Sequence, residues 1–107
     1  MAKLQAGNIR VIVLYPSGEG KNFDSKYWLS THYDLLKNGV WKEALDIEFS
    51  LGTADSPYVA VATVVFGDEA TFNAAVSQPG MAEVVADIPK YTNIEPIVFS
   101  TGISRNL

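Results

Sequence analysis

The chain has 107 residues, 48% of them hydrophobic and 19% charged, which is enough to bury the core of one domain and excludes a disordered segment. Its 12 acidic and 8 basic residues give a net charge of −4, which argues against binding to nucleic acid or anionic lipid through basic residues. Cysteine is absent, which excludes disulfides, thiolate nucleophiles, zinc fingers and iron–sulfur clusters.

The first predicted element is a β-strand over residues 8–15, NIRVIVLY. Val11 and Val13 share one face of this strand, whereas Ile12 and Leu14 share the other, so both faces are apolar. The preceding segment, residues 1–7, is short and polar and shows no signal-peptide pattern. No apolar run in the sequence approaches the ~20 residues of a membrane span. We therefore expect a soluble, cytoplasmic protein.

A turn-rich segment with glycines at positions 18 and 20 follows the first strand. Lys21 is followed by Asn22 rather than Ser or Thr, so this segment does not match a phosphate-binding loop.

The next stretch, Asp24 to Gly39, predicts one amphipathic helix that carries the single histidine of the chain. Asp24 is the expected N-cap, and Gly39 is expected to end the helix in the left-handed conformation. At 100° per residue, one sector of the helix surface holds an apolar group of side chains: Trp28, Thr31, His32, Leu35 and Leu36. His32 is therefore predicted to face the apolar side.

The rest of the chain predicts three strands and a broken helix. A half-buried strand covers 45–52, and a central strand covers 58–66, which is apolar on both faces. Asp68 caps a helix from Glu69 to Ser77, and a short helix restarts from Met81 to Ile88 after Pro79 and Gly80. A last strand is expected from Ile94 to Thr101.

This β-α-β-β-α-β order predicts an α+β, ferredoxin-like fold, with a four-stranded antiparallel sheet and both helices on one face. The first and third strands should be central. Two helices cover only one face, although the strands are apolar on both. Burying ~400 Å² of the uncovered face would contribute on the order of 10 kcal/mol before association costs. We therefore predict a homodimer whose sheets pack face to face.

Three segments resemble the EthD family, named for ethyl tert-butyl ether degradation. They are FDSKYWLSTHYDLL from Phe23, PYVAVATVVF from Pro57, and ADIPKYTNIEPIV from Ala86. The resemblance extends over roughly residues 8 to 101. It implies that residues 1–107 form a single dimeric α+β barrel domain.

The same resemblance implies candidate site residues in two motifs. The first supplies Tyr27, Thr31 and His32; the second supplies Asp87, Pro89, Tyr91 and Thr92. After Thr-His the family usually has a small or apolar residue and then proline, whereas this chain has Tyr33-Asp34. The family is linked to oxidative degradation of small organic compounds, and relatives on the same barrel include monooxygenases that use no metal or cofactor. We accordingly expect no cofactor.

His32 has two interpretations. In the first, it is a general base or a hydrogen-bond partner at the mouth of a cleft between helix and sheet, and its ordinary pKa near 6.5 suits proton transfer. In the second, it is a buried or half-buried histidine satisfied by a backbone carbonyl or by a hydroxyl such as that of Thr31. A metal site is not expected, because one histidine without cysteine leaves only scattered carboxylates. With His32 as catalytic residue, the predicted substrate-binding residues are Tyr27, Trp28, Thr31 and Tyr91.

The aromatic residues also have two interpretations, as the wall of an apolar ligand pocket or as ordinary core and interface. They are Tyr15, Trp28, Trp41, Phe49, Tyr58, Phe66 and Tyr91. Three hypotheses follow for the protein. It is a metal-free oxidoreductase acting on a small apolar organic molecule, a non-catalytic binding or carrier module of a degradation pathway, or a structural dimer with a filled core.

Overall fold

A computed structural model describes residues 4–105, and these form a four-stranded sheet with helices between its strands. The strands are β1 (Ile9–Pro16), β2 (Asp46–Leu51), β3 (Tyr58–Phe66) and β4 (Ile97–Gly102). The helices are α1 (Ser25–Tyr27), a π-helical segment (Trp28–His32), α2 (Tyr33–Lys37), α3 (Glu69–Val76), α4 (Met81–Asp87) and a 3₁₀ turn (Ile88–Lys90). None of the helices in the described residues is long and apolar enough to cross a bilayer.

The strand order in the sheet is β2-β3-β1-β4, and every neighbouring pair is antiparallel. This confirms the ferredoxin-like α+β fold and the central position of β1 and β3. Val11 of β1 lies opposite Val64 of β3, and Val13 lies opposite Ala62, so these side chains share one face. The core forms on this face, because Val64 and Ala62 are buried against the helices.

The first helical stretch runs from Ser25 to Lys37 in three consecutive segments, α1, the π-helical segment and α2. Asp24 is its N-cap, as predicted, since the Asp24 carboxylate accepts a hydrogen bond from the Tyr27 backbone N–H at 3.2 Å. The prediction of a left-handed Gly39 was wrong, because Gly39 does not have a positive φ. A glycine is needed there for another reason: a Cβ would lie 2.8 Å from the Leu35 carbonyl oxygen.

The last strand begins at Ile97, three residues later than predicted. Ile94 instead belongs to the segment before that strand, where its backbone N–H donates to Thr92 Oγ1 at 3.0 Å and its side chain is part of the buried cluster that contains Trp28. Pro96, which has no backbone N–H to donate to a strand ladder, separates Ile94 from β4. The bounds of β3 are those predicted, and the other element boundaries agree with the predicted ones to within two residues.

Within residues 4–105, no helix packs on the opposite face of the sheet, and we call it the open face. Ile12 pairs with Phe99 and Leu14 pairs with Ile97 on this face. Ile97 and Phe99 are 47% and 46% exposed. The open face thus presents large apolar side chains from β1 and β4, as the two-faced strand patterns predicted.

Candidate functional site

His32 lies at the end of the π-helical segment and is buried, with 3% of its surface exposed. A π-helical turn is rare and occurs frequently at functional sites. The His32 Nδ1 atom lies 2.8 Å from Asp87 Oδ2, at the end of α4. The two helical regions that cover the sheet are therefore joined by a buried histidine–carboxylate pair.

Asp87 is itself 6% exposed and receives a second hydrogen bond from the Tyr27 hydroxyl, at 2.7 Å from Oδ1. Burial alone would raise the pKa of Asp87, but the hydrogen bonds from His32 and Tyr27 outweigh it and hold the pKa below its usual range. Lys90, an exposed side chain, approaches Asp87 Oδ1 at 3.8 Å and adds little in contact with water. Asp87 is therefore an anion at neutral pH, although it is buried.

Burial lowers the pKa of His32 below its ordinary value, and the Asp87 carboxylate offsets only part of that effect. His32 is therefore neutral near pH 7 and carries a single ring proton. Because an ionised carboxylate only accepts hydrogen bonds, that proton is on Nδ1 and points at Asp87. Nε2 is then an acceptor, and Asp87 fixes the tautomer that a general base needs.

Two tyrosine hydroxyls continue this hydrogen-bonded chain from Nε2. The Tyr91 hydroxyl lies 3.3 Å from His32 Nε2, and the Tyr15 hydroxyl lies 2.7 Å from that of Tyr91. Since Nε2 has no proton, Tyr91 donates to it, which leaves Tyr15 as the donor to Tyr91. The four side chains from Tyr15 to Asp87 thus form one chain with every proton directed toward the carboxylate.

An apolar cavity of ≈ 160 Å³ lies between the helices and the sheet. Its wall includes the side chains of Tyr15, Trp28 and His32. The remaining wall is mostly aliphatic and aromatic: Val11, Val13, Leu36, Trp41, Phe49, Ala62, Val76, Met81, Val84, Val85, Ile88, Pro96 and Val98. Val85 and Val98 are each 60% exposed, so the cavity opens to solvent between α4 and the edge strand β4.

Trp28 is fully buried, and its indole Nε1 has no hydrogen-bond partner among the described residues. The ring stacks on Phe49 with centroids 4.3 Å apart and meets Tyr15 edge-on at 5.7 Å. The indole N–H is close to the Tyr15 oxygen, but it does not reach hydrogen-bonding geometry. A buried N–H without a partner lowers the stability of the folded state. This indole N–H is therefore a donor available to an oxygen of a ligand, or to the Tyr15 oxygen after a small local movement.

The structure brings most of the predicted site residues together. His32 and Trp28 line the cavity, whereas Tyr27 and Tyr91 bond to the Asp87–His32 pair. Thr31 is exposed and does not line the cavity, and the partners of His32 are Asp87 and Tyr91 rather than a Thr31 hydroxyl.

The second motif holds Tyr91 in place. Thr92 Oγ1 donates to the Asn22 carbonyl at 2.6 Å, and the Asp24 backbone N–H donates to the Tyr91 carbonyl at 2.7 Å. These bonds attach the segment before β4 to the start of the first helix. Pro89 lies in the 3₁₀ turn between Asp87 and Tyr91, where its fixed φ suits the tight backbone.

Tyr15 was named among the aromatic residues of a possible pocket wall, but it was not among the predicted site residues. It occurs in β1 as one member of an alternating apolar pattern, and nothing in that pattern separates a hydroxyl that hydrogen-bonds from a ring that only packs. Tyr15 and Tyr91 are 76 positions apart in the sequence, so no short-range spacing of residues indicates that their hydroxyls meet. The residue type of Tyr15 and its position at the end of a predicted central strand were the available signals.

Comparison with known proteins identifies similar solved structures, whereas no family model and no curated protein matches the chain. An EthD-like protein from Ralstonia eutropha is 28% identical and superposes with a TM-score of 0.81, covering 94% of this chain and 97% of that one. An EthD family protein from Bacillus halodurans is 15% identical, with a TM-score of 0.63 over 86% of this chain and 96% of that one.

A dimeric ferredoxin-like protein of unknown function from Thermobifida fusca is 14% identical, with a TM-score of 0.63 over 94% of this chain and 95% of that one. The likeness at such low identity concerns the fold, which agrees with the strand order described above. The likeness to the Ralstonia eutropha protein extends over nearly the whole of both chains. The resemblance to the EthD family, predicted from the motifs around His32 and Asp87, is therefore confirmed, and this chain is EthD-like.

Proposed function

We propose that this protein is an EthD-like enzyme of small-organic-molecule degradation, a cofactor-independent oxidoreductase of the monooxygenase type in which His32 is the base. One observation carries the proposal: a neutral histidine, fixed in one tautomer by a buried carboxylate, forms part of the wall of an apolar cavity. A base in such a site receives a proton, and the imidazolium formed is stabilised by Asp87.

The size and lining of the cavity support a compact, largely apolar substrate. A cavity of about 150 Å³ lined by aliphatic and aromatic side chains is large enough to bind benzene. The present cavity is of similar size, ≈ 160 Å³, and its aromatic wall is formed by Trp28, Phe49, Trp41 and Tyr15. The proposed substrate has about one ring and one weakly acidic group that meets the His32 end of the cavity. Trp28 shapes the wall, while Tyr27 bonds to Asp87 and Tyr91 bonds to His32.

The proposed chemistry needs only a base and dioxygen. Transfer of the acidic proton to the His32 system leaves an electron-rich substrate anion. The anion gives one electron to O₂, and the substrate radical and superoxide combine at carbon. Return of the proton from His32 to the terminal oxygen completes a hydroperoxide. Where the oxygenated carbon still carries a hydrogen, loss of water from the hydroperoxide leaves a carbonyl, so one oxygen atom of O₂ enters the product and the other leaves in water.

We further propose that the protein acts as a homodimer joined through the open faces of two sheets. The exposed Ile97 and Phe99, beside the half-buried Ile12 and Leu14, support this assembly, because a soluble monomer rarely exposes an extended apolar surface. The Thermobifida fusca protein of the same fold is described as dimeric. The cavity lies on the opposite face of the sheet, so each subunit would keep its own site.

Oxygen consumption tests the proposed activity. Single-ring phenols and related weak acids are screened under air, and the expected result is turnover by the natural chain and a loss of at least ~10²-fold in His32→Ala, the usual size of a general-base contribution. Thr31→Ala, an exposed neighbour on the same helix, is the matched control and should retain turnover. Equal turnover in His32→Ala would remove the proposed base. Saturable binding with no oxygen uptake would favour the carrier module instead.

A further inference from the structure

Tyr15 is where the buried hydrogen-bonded chain meets the cavity. The side chains of Tyr15 and His32 line the cavity, whereas Tyr91, which bonds to both of them, is 2% exposed and does not. Both nitrogens of His32 already have protein partners, Asp87 on Nδ1 and Tyr91 on Nε2. A ligand in the cavity therefore finds no free histidine nitrogen in this arrangement.

The Tyr15 oxygen is differently placed. Its proton is given to Tyr91, as the proton count requires, so its lone pairs remain available as acceptors. The indole N–H of Trp28 is close to this oxygen without a formed hydrogen bond. An acidic group of a bound molecule can therefore donate to Tyr15 without breaking any bond in the chain.

We propose that Tyr15 is the catalytic residue that takes the proton of the substrate, and that Tyr91 relays a proton from Tyr15 to His32 Nε2. This inference rests on the proposed function and identifies its proton path. The substrate O–H or C–H bond breaks as a new Tyr15 O–H bond forms. The former Tyr15 proton passes to the Tyr91 oxygen, and the former Tyr91 proton passes to Nε2. One proton moves from substrate to His32, and no electrons are transferred in this step.

The environment favours a concerted relay over a stable tyrosinate. Burial, the largest effect on both phenols, raises the pKa of Tyr91 and that of Tyr15 above their ordinary value. Both phenols thus remain neutral and pass protons without accumulating charge. The new charges appear only at the two ends of the relay, as a negative charge on the substrate and a positive charge on His32 beside Asp87.

The longest step of the relay is the 3.3 Å between Tyr91 and Nε2, compared with 2.7 Å between the two hydroxyls. Catalytic hydrogen bonds are often long without substrate and shorten in the complex. After transfer, the Tyr15–Tyr91 and Tyr91–Nε2 hydrogen bonds are reversed, His32 Nδ1–H still donates to Asp87, and the Tyr15 O–H donates to the substrate anion. Tyr15 thus stabilises the anion as well as receiving its proton.

A phenol with a coloured anion gives a direct test, and 4-nitrophenol is the probe. Its absorbance when bound to the whole protein, measured across pH, gives the acid dissociation constant of the bound phenol. We expect the natural chain to ionise the bound probe at lower pH than free solution does. Tyr15→Phe and Tyr91→Phe should each reduce that dissociation constant about 10-fold or more, which is the effect of losing a hydrogen bond to a charged group. His32→Gln should do the same.

Tyr33→Phe is the matched control, because the Tyr33 ring packs edge-on against Phe49 and its hydroxyl is outside the relay. It should ionise the probe as the natural chain does. If Tyr15→Phe also ionises the probe normally while His32→Gln does not, the relay is wrong and His32 acts directly, which leaves the proposed function standing. If the natural chain does not bind the probe, the proposed function fails and the relay fails with it.

Histidine NMR provides a second test that needs no ligand. His32 is the only histidine, so ¹⁵N-histidine labelling gives the signals of this one ring. The relay requires a proton on Nδ1 and an accepting, hydrogen-bonded Nε2, and Tyr91→Phe should move the Nε2 signal toward that of a free acceptor. A proton on Nε2 in the natural chain at neutral pH would overturn the relay.

Discussion

Replacing Asp87 with asparagine tests the electrostatic basis of the site, since this one carboxylate holds both His32 and Tyr27. Its oxygens accept hydrogen bonds of 2.8 Å from His32 Nδ1 and 2.7 Å from the Tyr27 hydroxyl, and its surface is 6% exposed. Asparagine has nearly the same shape but no charge. It presents one acceptor oxygen and one NH₂ donor.

The cost follows from these two bonds. A hydrogen bond to a charged group contributes about 1.5–3 kcal/mol, and a neutral one contributes about 1 kcal/mol. In Asp87→Asn the amide oxygen can still accept one of the two hydrogen bonds, now as a bond between neutral groups. The donor of the other bond, from His32 or Tyr27, instead faces the amide NH₂ group. The Tyr27 hydroxyl is half-buried and recovers part of its loss through water. We therefore expect the free energy of unfolding to fall by about 2 kcal/mol, which lowers Tm by roughly 10 °C in a domain of this size.

Urea denaturation at pH 7 measures the loss, and Glu83→Gln is the control because Glu83 is an exposed carboxylate on the same helix. The tautomer of His32 is a second readout. The natural chain should hold the ring proton on Nδ1, whereas in Asp87→Asn the amide can donate or accept and the strict preference should disappear. Equal stability of the two variants, or an unchanged tautomer in Asp87→Asn, would refute the electrostatic role given to Asp87.

Three further outcomes are expected. Burial lowers the pKa of His32, so the unfolded state binds more protons than the folded state as the pH falls below about 6.5. The free energy of unfolding should therefore decline from about pH 7 to pH 5 in the natural chain and decline less in His32→Gln. Urea denaturation midpoints across this pH range measure the difference. Asp87, whose pKa is already below its usual range, should lose its contribution only below about pH 4. On the open face, Phe99→Glu should reduce the mass measured by light scattering from that of two chains to that of one. Leu29→Glu, on the exposed side of the first helix, is the control and should leave the mass unchanged. A natural chain that is monomeric at micromolar concentration would contradict the dimer. Gly52→Ala should destabilise the fold by about 3 kcal/mol in denaturation experiments, since a Cβ there overlaps the Tyr58 carbonyl oxygen. Gly67→Ala is the control that should cost much less, because a Cβ there makes only an ordinary contact with Leu45 Cδ1 at 3.9 Å.

The fold could be predicted from the sequence because its signals are local and repeated. Alternation along β1 and β3 placed Val11 and Val13 on one face and Ile12 and Leu14 on the other, and the structure keeps that assignment. The side-chain cap at Asp68, which accepts from the Thr71 N–H at 2.8 Å, was similarly visible from residue types alone. Such features depend on neighbours a few positions away.

The site was predicted less completely, because its contacts join distant parts of the chain. His32 and Asp87 are separated by 55 positions, and Tyr15 and Tyr91 by 76. The motif resemblance supplied both His32 and Asp87, but no local pattern indicated that a carboxylate would select the histidine tautomer. Tyr15 had no motif at all, and only its register in β1 brings it to the cavity.

The exposed position of Thr31 has a specific physical cause in the shape of the first helix. The prediction that Thr31 and His32 share the apolar sector assumed 100° per residue, as in an α-helix. The segment Trp28–His32 is π-helical, and a turn closed by i→i+5 bonds contains more residues, so each residue advances by less than 100°. Four residues after Trp28, His32 returns almost above it, and both reach the cavity. Thr31, one residue short of that turn, is directed roughly a quarter turn away and is left in solvent. The wider turn therefore aligns the base with the wall of the cavity, and the same rotation removes its neighbour from the site.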